Sequence, residues 1–167
     1  MRVAILTVSD RSARGERADA SGPALAARLQ QLDWQVSRQQ ILPDEGDQIR
    51  ATLTAWSDEG AADVILTTGG TGFAPRDVTP EATLAVIERE APGLTEAMRA
   101  SSLTISPHAM LSRARAGIRG STLIVNLPGS PKGAVENLEV ILPALAHAVQ
   151  LLRGSSDAES GHAQGAV

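Results

Sequence analysis

Asp63-Val64-Ile65-Leu66-Thr67-Thr68-Gly69-Gly70-Thr71-Gly72 is the stretch on which the fold turns. Asp63 to Thr67 is an apolar run of strand length. Continuous rather than alternating apolarity is what a strand covered on both faces shows. It leads without a break into Thr68-Gly69-Gly70-Thr71-Gly72. Glycines clustered at the end of a buried strand have two readings. They make a tight turn that needs positive φ, or they leave backbone N–H groups uncovered to cradle an anion. No Gly-Lys-Ser/Thr follows, so the loop is not a P-loop. Its spacing, and its place after the third strand rather than the first, disfavour a dinucleotide fingerprint and with it a dehydrogenase.

Working outward, Arg2 to Val8 is a second continuous apolar run, ending at Ser9-Asp10, and Arg11 to Ala20 reads as a polar loop. Ser21-Gly22-Pro23 opens a helix with Leu25, Leu29 and Leu32 at helical spacing. Trp34 to Leu42 is a more polar strand closed by Pro43-Asp44, and Ile49, Leu53 and Trp56 mark a helix ending near Gly60. Thr79 as N-cap with Pro80 at the first helical position predicts a helix to about Glu90. Pro92-Gly93 opens another, to about Leu103. Ala114 to Arg119 and Thr122 to Asn126, joined by Gly120-Ser121, read as a β-hairpin. Ser130-Pro131 opens the last helix, with Val135, Leu138, Leu142, Leu145, Val149 and Leu152 three and four apart; Pro143 must kink it or start a second segment. The predicted fold class is α/β: three layers, α/β/α, on a mostly parallel sheet with a late antiparallel hairpin.

A length of 167 residues predicts one domain, over 1–153, with 154–167 read as a disordered tail from its Gly/Ser-rich composition. There is no Cys, which removes disulfides, thiolate metal sites and cysteine nucleophiles. Unbroken apolar runs such as Val3 to Leu6 are too short to span a bilayer. No secretory signal pattern precedes the first strand, so the expected location is cytoplasmic. A net charge of −4 and 2% aromatic content supply neither a basic face nor base-stacking platforms, so no nucleic-acid partner is expected.

If the strands are parallel, their carboxyl ends bring Ser9, Asp10, Asp44, the glycine loop, Asp77 and Asn126 to one rim of the sheet, where open α/β folds bind ligands. Asp44 and Asp77 each have a bland reading as helix caps. Together, beside a phosphate cradle, they would repel the ligand unless a divalent cation lay between, and Mg²⁺ is the natural candidate. Asn126-Leu127-Pro128-Gly129-Ser130-Pro131-Lys132 forms a second helix-end anion site. There Lys132, the only Lys in the chain, either meets a phosphate or pairs with Glu136 one turn on. Arg11, Arg14 and Arg17 form a loop that closes over an anionic substrate or is merely solvated. Phe73 is assigned no function. His108, far in sequence from His147 and His162, makes no metal motif, and Ser112 lacks the partners of a serine hydrolase.

Val8-Ser9-Asp10, Asp19-Ala20-Ser21-Gly22, Pro43-Asp44-Glu45, Thr67 to Gly72, Arg76-Asp77-Val78-Thr79-Pro80-Glu81-Ala82, Met110-Leu111-Ser112-Arg113 and Asn126 to Lys132, taken in order, resemble the MogA/MoaB family of molybdenum-cofactor biosynthesis; the gephyrin G-type domain is similar. The resemblance implies a homotrimeric molybdopterin adenylyltransferase that moves AMP from ATP to the molybdopterin phosphate with Mg²⁺ and releases pyrophosphate. The alternative is a MoaB-like scaffold that binds pterin or nucleotide with little turnover. Carried onto this chain, Asp44 and Asp77 would be the catalytic and metal-binding carboxylates. Thr68, Gly69, Gly70, Thr71, Gly72, Asn126, Pro128, Gly129 and Ser130 would hold the nucleotide. Ser9, Asp10, Asp19, Ser21, Ser112 and Lys132 would lie nearer the pterin or its phosphate. The resemblance also implies a molybdate-insertion protein as a partner.

Overall fold

The computed structural model describes residues 1–154. The tail expected over 154–167 therefore lies, from residue 155 onward, outside the described residues. Six strands form one sheet: β1 (Arg2–Val8), β2 (Gln35–Leu42), β3 (Val64–Thr68), β4 (Arg89–Glu90), β5 (Ala116–Arg119) and β6 (Thr122–Leu127), in the order β2-β1-β3-β6-β5-β4. β1, β2, β3 and β6 are parallel; β5 runs antiparallel to β6, and β4 to β5. The expected parallel sheet with a late hairpin is what forms.

Alternation within the central strands divides the core into two layers, because successive side chains of a strand point to opposite faces. Val3 and Ile5 of β1, with Val64 and Leu66 of β3, pack with α2 (Ser21–Gln30), α5 (Pro92–Leu103) and α6 (Pro131–Leu152). Ala4, Leu6 and Val8, with Ile65, pack with α3 (Gly46–Asp58) and α4 (Thr79–Leu84). Both faces of β1 and β3 are covered, which explains their unbroken apolar spelling. β2 is an edge strand with mostly exposed side chains, hence its polar sequence.

The structure departs from the sequence expectations in three places. A short helix, α1 (Asp10–Ala13), capped by the Ser9 hydroxyl, occupies the start of the expected loop. A 3-10 helix spans Pro107–Leu111. The helix expected from Thr79 to about Glu90 ends at Leu84, and Val78 rather than Thr79 is its N-cap. The chain turns there so that Glu88 and Ala91 can donate backbone hydrogen bonds to Ile118 and Ala116, adding β4 to the hairpin edge. Gly117 permits this, since a Cβ there would strike Ile87 and come within 2.7 Å of the Arg89 carbonyl oxygen. Of the two alternatives for Pro143, a second segment is excluded, since α6 runs as one 22-residue helix through it. Pro143 lies on the exposed face, where water can take the carbonyl its missing N–H leaves free.

Among the described residues, α6 is also the one helix long and apolar enough to cross a membrane by length and composition. Its stripe of Ala134, Leu138, Ile141, Leu145 and Val149 is buried in the core.

Candidate active site

The order of strands reverses between β1, which leads outward to β2, and β3, which leads the other way to β6. A crevice beyond the carboxyl ends of two such strands is where open α/β sheets take their ligands. Here it holds a cavity of about 380 Å³ whose lining includes Ser9, Asp19, Asp44, Gly70, Asp77, Gly129 and Ser130. The two carboxylates and the glycine loop thus share one space, as the topology predicted.

The glycine loop is built by close backbone approach. Thr68 donates its hydroxyl to the Pro128 carbonyl at 2.7 Å, and the Gly69 amide donates to the Leu127 carbonyl at 3.3 Å. Gly69 (φ +101°) lies against Val8, so that a Cβ would be driven into the Val8 carbonyl oxygen. Gly129 is just as tight, its Cβ position 3.1 Å from the Gly69 Cα. The tight-turn reading of this loop is therefore correct for Gly69, whose amide already has a partner. Gly70, Thr71, Gly72, Gly129 and Ser130 differ: among the described residues their amides donate to no protein acceptor. These are the N–H groups open to an anion.

Asp44 sits half-buried at the end of β2. Its Oδ2 accepts from the Asp10 amide at 2.8 Å, while the Asp44 amide donates to Asp10 Oδ1 at 3.1 Å. Burial pushes the Asp44 carboxyl above the usual carboxylate range; the negative charges of Asp10 and Asp77 add to the rise, partly offset by the Asp10 amide and by Arg76. Asp77 is oriented by the Ala74 amide, which donates to its Oδ2 at 3.0 Å. Two carboxylates whose charges repel across one cavity make a set that suits a cation. No group of three or more metal-ligating side chains exists among the described residues. Asp44 and Asp77 are the pair that could hold Mg²⁺, an ion that takes one or two carboxylates and fills its shell with water and phosphate oxygens.

Several predicted site residues have their side chains engaged by the protein itself. Asp10 accepts two hydrogen bonds from Arg76, at 3.0 and 2.9 Å, in addition to the Asp44 amide. Asp19 caps α2, accepting from the Ser21 and Gly22 amides at 3.0 and 3.1 Å, from the Ser21 hydroxyl, and from the Thr7 hydroxyl at 2.7 Å. Asn126 is fully buried; it donates to the hydroxyls of Thr67 and Thr83 and accepts from the Arg115 amide. Ser9 and Ser130 cap α1 and α6. Lys132 is 80% exposed and pairs with Glu136 at 3.7 Å, the second of its two readings.

Ser112 is brought to a different space. It lines a mostly apolar cavity of about 350 Å³ between α5, the 3-10 helix and the start of α6, whose lining includes Thr71, Gly72, Met98, Arg99 and Ser130. The two cavities share Ser130 and flank the same glycine loop. Of the loop arginines, Arg17 lines the carboxylate cavity and Arg14 pairs with Glu16 at 2.7 Å. Phe73 is 66% exposed.

Two arginines matter that the residue pattern did not single out. Arg76 ties Asp10 to Glu45, both within 2.9 Å, and these partners hold its guanidinium above its ordinary pKa. Arg113 donates to the Gly72 and Asp77 carbonyls and pairs with Glu81, so it staples the loop that carries Asp77. Both stand in the motifs that carry the family resemblance, but which partners they reach is set by the fold. Thr79, read as an N-cap, is instead the first helical residue, and its Oγ1 is fully buried with no hydrogen-bond partner among the described residues. An unpaired buried hydroxyl costs about 1–3 kcal/mol.

Comparison with known proteins places the chain in a family. Residues 4–147 match the family model described as a probable molybdopterin binding domain. The chain is 43% identical to a molybdopterin adenylyltransferase of Helicobacter pylori, over 93% of this chain and 89% of that protein. It is 46% identical to gephyrin of Dictyostelium discoideum over 90% of this chain, but spans only 22% of gephyrin. The crystal structure of the molybdopterin biosynthesis enzyme MoaB from Thermus thermophilus superimposes with a TM-score of 0.87 at 52% identity, covering 92% of this chain and 97% of that one. This chain belongs to the MogA/MoaB family of molybdopterin-binding proteins.

Proposed function

We propose that this protein is a molybdopterin adenylyltransferase, joining AMP from ATP to the terminal phosphate of molybdopterin and releasing pyrophosphate. The observation that carries the reading is one cavity lined by Asp44, Asp77, Gly70, Gly129 and Ser130, with two carboxylates facing unpaired backbone amides. Kinship at 43% identity with a protein named for this activity supports it.

In this transfer an oxygen of the molybdopterin phosphate bonds to the α-phosphorus of ATP as the bond to the pyrophosphate oxygen breaks. Such chemistry needs positioning and charge neutralisation more than covalent help from the protein. The amides of Gly70, Thr71 and Gly72, with those of Gly129 and Ser130, orient phosphate oxygens without adding net charge. Asp44 and Asp77 would hold Mg²⁺, which when bound neutralises the triphosphate and the departing pyrophosphate. The Asp10 amide fixes one oxygen of Asp44, and the Ala74 amide one oxygen of Asp77, so both carboxylates meet the ligand in set orientations. The apolar cavity beside Ser112 gives a flat heterocycle a dry surface next to the loop.

The test is magnesium-dependent release of pyrophosphate from ATP in the presence of molybdopterin, with the adenylylated product identified by mass. Asp77→Asn should abolish it in a folded protein. A folded wild-type chain that binds nucleotide but releases no pyrophosphate would establish the scaffold reading instead. The homotrimer, the cytoplasmic location and a molybdate-insertion partner complete the proposal. Sedimentation velocity, fractionation and pull-down with the purified partner class test them in turn.

A further inference from the structure

The unpaired hydroxyl of Thr79 has a specific neighbourhood. Thr79 is the first residue of α4 and fully buried, and its amide donates to the Gly70 carbonyl at 3.1 Å. Gly70 has φ +63° and no side chain; a Cβ there would collide with Thr79 Oγ1 and come within 3.0 Å of Asp44 Oδ1. The bare Cα of Gly70 thus opens a notch with a hydroxyl on one side and a carboxylate oxygen on the other. The other oxygen of Asp44 is already held by the Asp10 amide, whereas Oδ1 accepts from no protein donor among the described residues. An unused donor, buried behind Gly70, and an unused acceptor thus lie on two sides of the same position, and Gly70 and Asp44 both line the cavity that holds the two carboxylates.

We infer that Thr79 is a positioning residue for Asp44: its hydroxyl, acting through the Gly70 notch, donates to the Oδ1 side of the carboxylate, directly or through one water, when magnesium–ATP enters the cavity. The inference rests on the adenylyltransferase reading and deepens it. With the Asp10 amide on Oδ2 and the Thr79 hydroxyl at Oδ1, the carboxylate is fixed from both ends, and its remaining lone pairs point at the ligand. Glycine at position 70 is then required for two reasons, its left-handed φ and the passage it leaves between Thr79 and Asp44. The hydroxyl has no partner among the described residues, so its donor is available to the loaded site.

This distinguishes Thr79 from a residue that merely supports the loop. Thr79→Val is nearly isosteric and removes an unsatisfied polar atom, so the ligand-free variant should unfold at the wild-type temperature or a few degrees above it. Calorimetric titration with Mg²⁺ and a non-hydrolysable ATP analogue should show about tenfold weaker binding, with kcat reduced by at least the same factor. Thr79→Ser should restore both to within about threefold of wild type. If the valine variant fails to fold, the Thr79→Ser and Thr79→Ala pair, which differ only in the hydroxyl, gives the same contrast. A ligand-free melting temperature several degrees lower with wild-type analogue binding would overturn the inference, since the hydroxyl would then be satisfied inside the protein. Unchanged binding and turnover in the hydroxyl-free variants would overturn it equally. The binding arm needs no turnover: a wild-type chain that binds the analogue but adenylylates nothing defeats the enzymatic reading alone, and the hydroxyl contrast still decides Thr79. A wild-type chain that does not bind the analogue defeats both.

Discussion

Asp10 and Asp44 exchange hydrogen bonds across the ends of β1 and β2, each carboxylate accepting from the other's backbone amide, at 2.8 and 3.1 Å. Two acids side by side would ordinarily repel. Here Arg76 neutralises Asp10 and draws its pKa down, whereas burial draws that of Asp44 up. One of the pair is thereby a structural anion and the other is left to face the cavity.

Asp10→Ala should keep the Asp10 amide on Asp44 Oδ2 but free the Asp44 amide and release Arg76. Supporting residues of this kind typically carry about 10–100-fold in activity. A loss of that size in kcat/KM, against abolition by Asp44→Asn, is the expected steady-state result.

Asp63 provides the clearest pH dependence of stability. It is buried at the far end of the sheet, and burial alone would raise its pKa. Arg153 at 2.7 Å, the Arg2 amide at 2.7 Å and the Arg2 guanidinium at 3.0 Å outweigh burial and bring it down to about 2. A carboxyl lowered on folding stabilises the protein above its unfolded value near 3.9 and loses that contribution as pH falls toward 2. The linkage is worth about 2 kcal/mol. Denaturant titrations should show a stability difference between wild type and Asp63→Asn that is constant above pH 5 and shrinks between pH 4 and about 2.

Gly69→Ala combines a left-handed φ with a Cβ placed on the Val8 carbonyl oxygen. It should destabilise by more than about 2 kcal/mol. Gly15→Ala, also at positive φ but with nothing within 4 Å, should cost about 1 kcal/mol. Chemical denaturation of the two variants in parallel separates collision from φ strain.

Asn126→Ala removes a side chain that joins β6 to Thr67, Thr83 and the Arg115 amide. It should cost about 2–4 kcal/mol in denaturant titrations. Affinity for an ATP analogue, measured at a temperature where the variant is folded, should stay within about threefold of wild type, because the side chain is fully buried and its hydrogen bonds are spent inside the protein.

Much of this protein is legible in its residues. Val3 to Val8 and Val64 to Thr68 are written as strands buried on two faces, and the periodic leucines of α2 and α6 name the faces they bury. Val78 and the early end of α4 were not legible, because β4 is two exposed residues whose pairing with β5 depends on Gly117, nearly thirty positions away. The site divides in the same way. Residue type and the expectation of parallel strands place Asp44, Asp77 and the glycine loop on one rim. Composition is blind to which donors are already occupied, so Asp19, Asn126 and Asp10 looked as available as Asp77, and the unpaired Thr79 looked like a cap.

Local pattern by itself determined the layers, the order of elements and the edge at which the chemistry gathers, because burial and handedness act on neighbouring residues. Only the tertiary structure decided which polar atoms remain free. Hydrogen-bond partners such as Arg113 and Gly72, or Thr79 and Gly70, are separated by many residues along the chain and are brought together by packing alone.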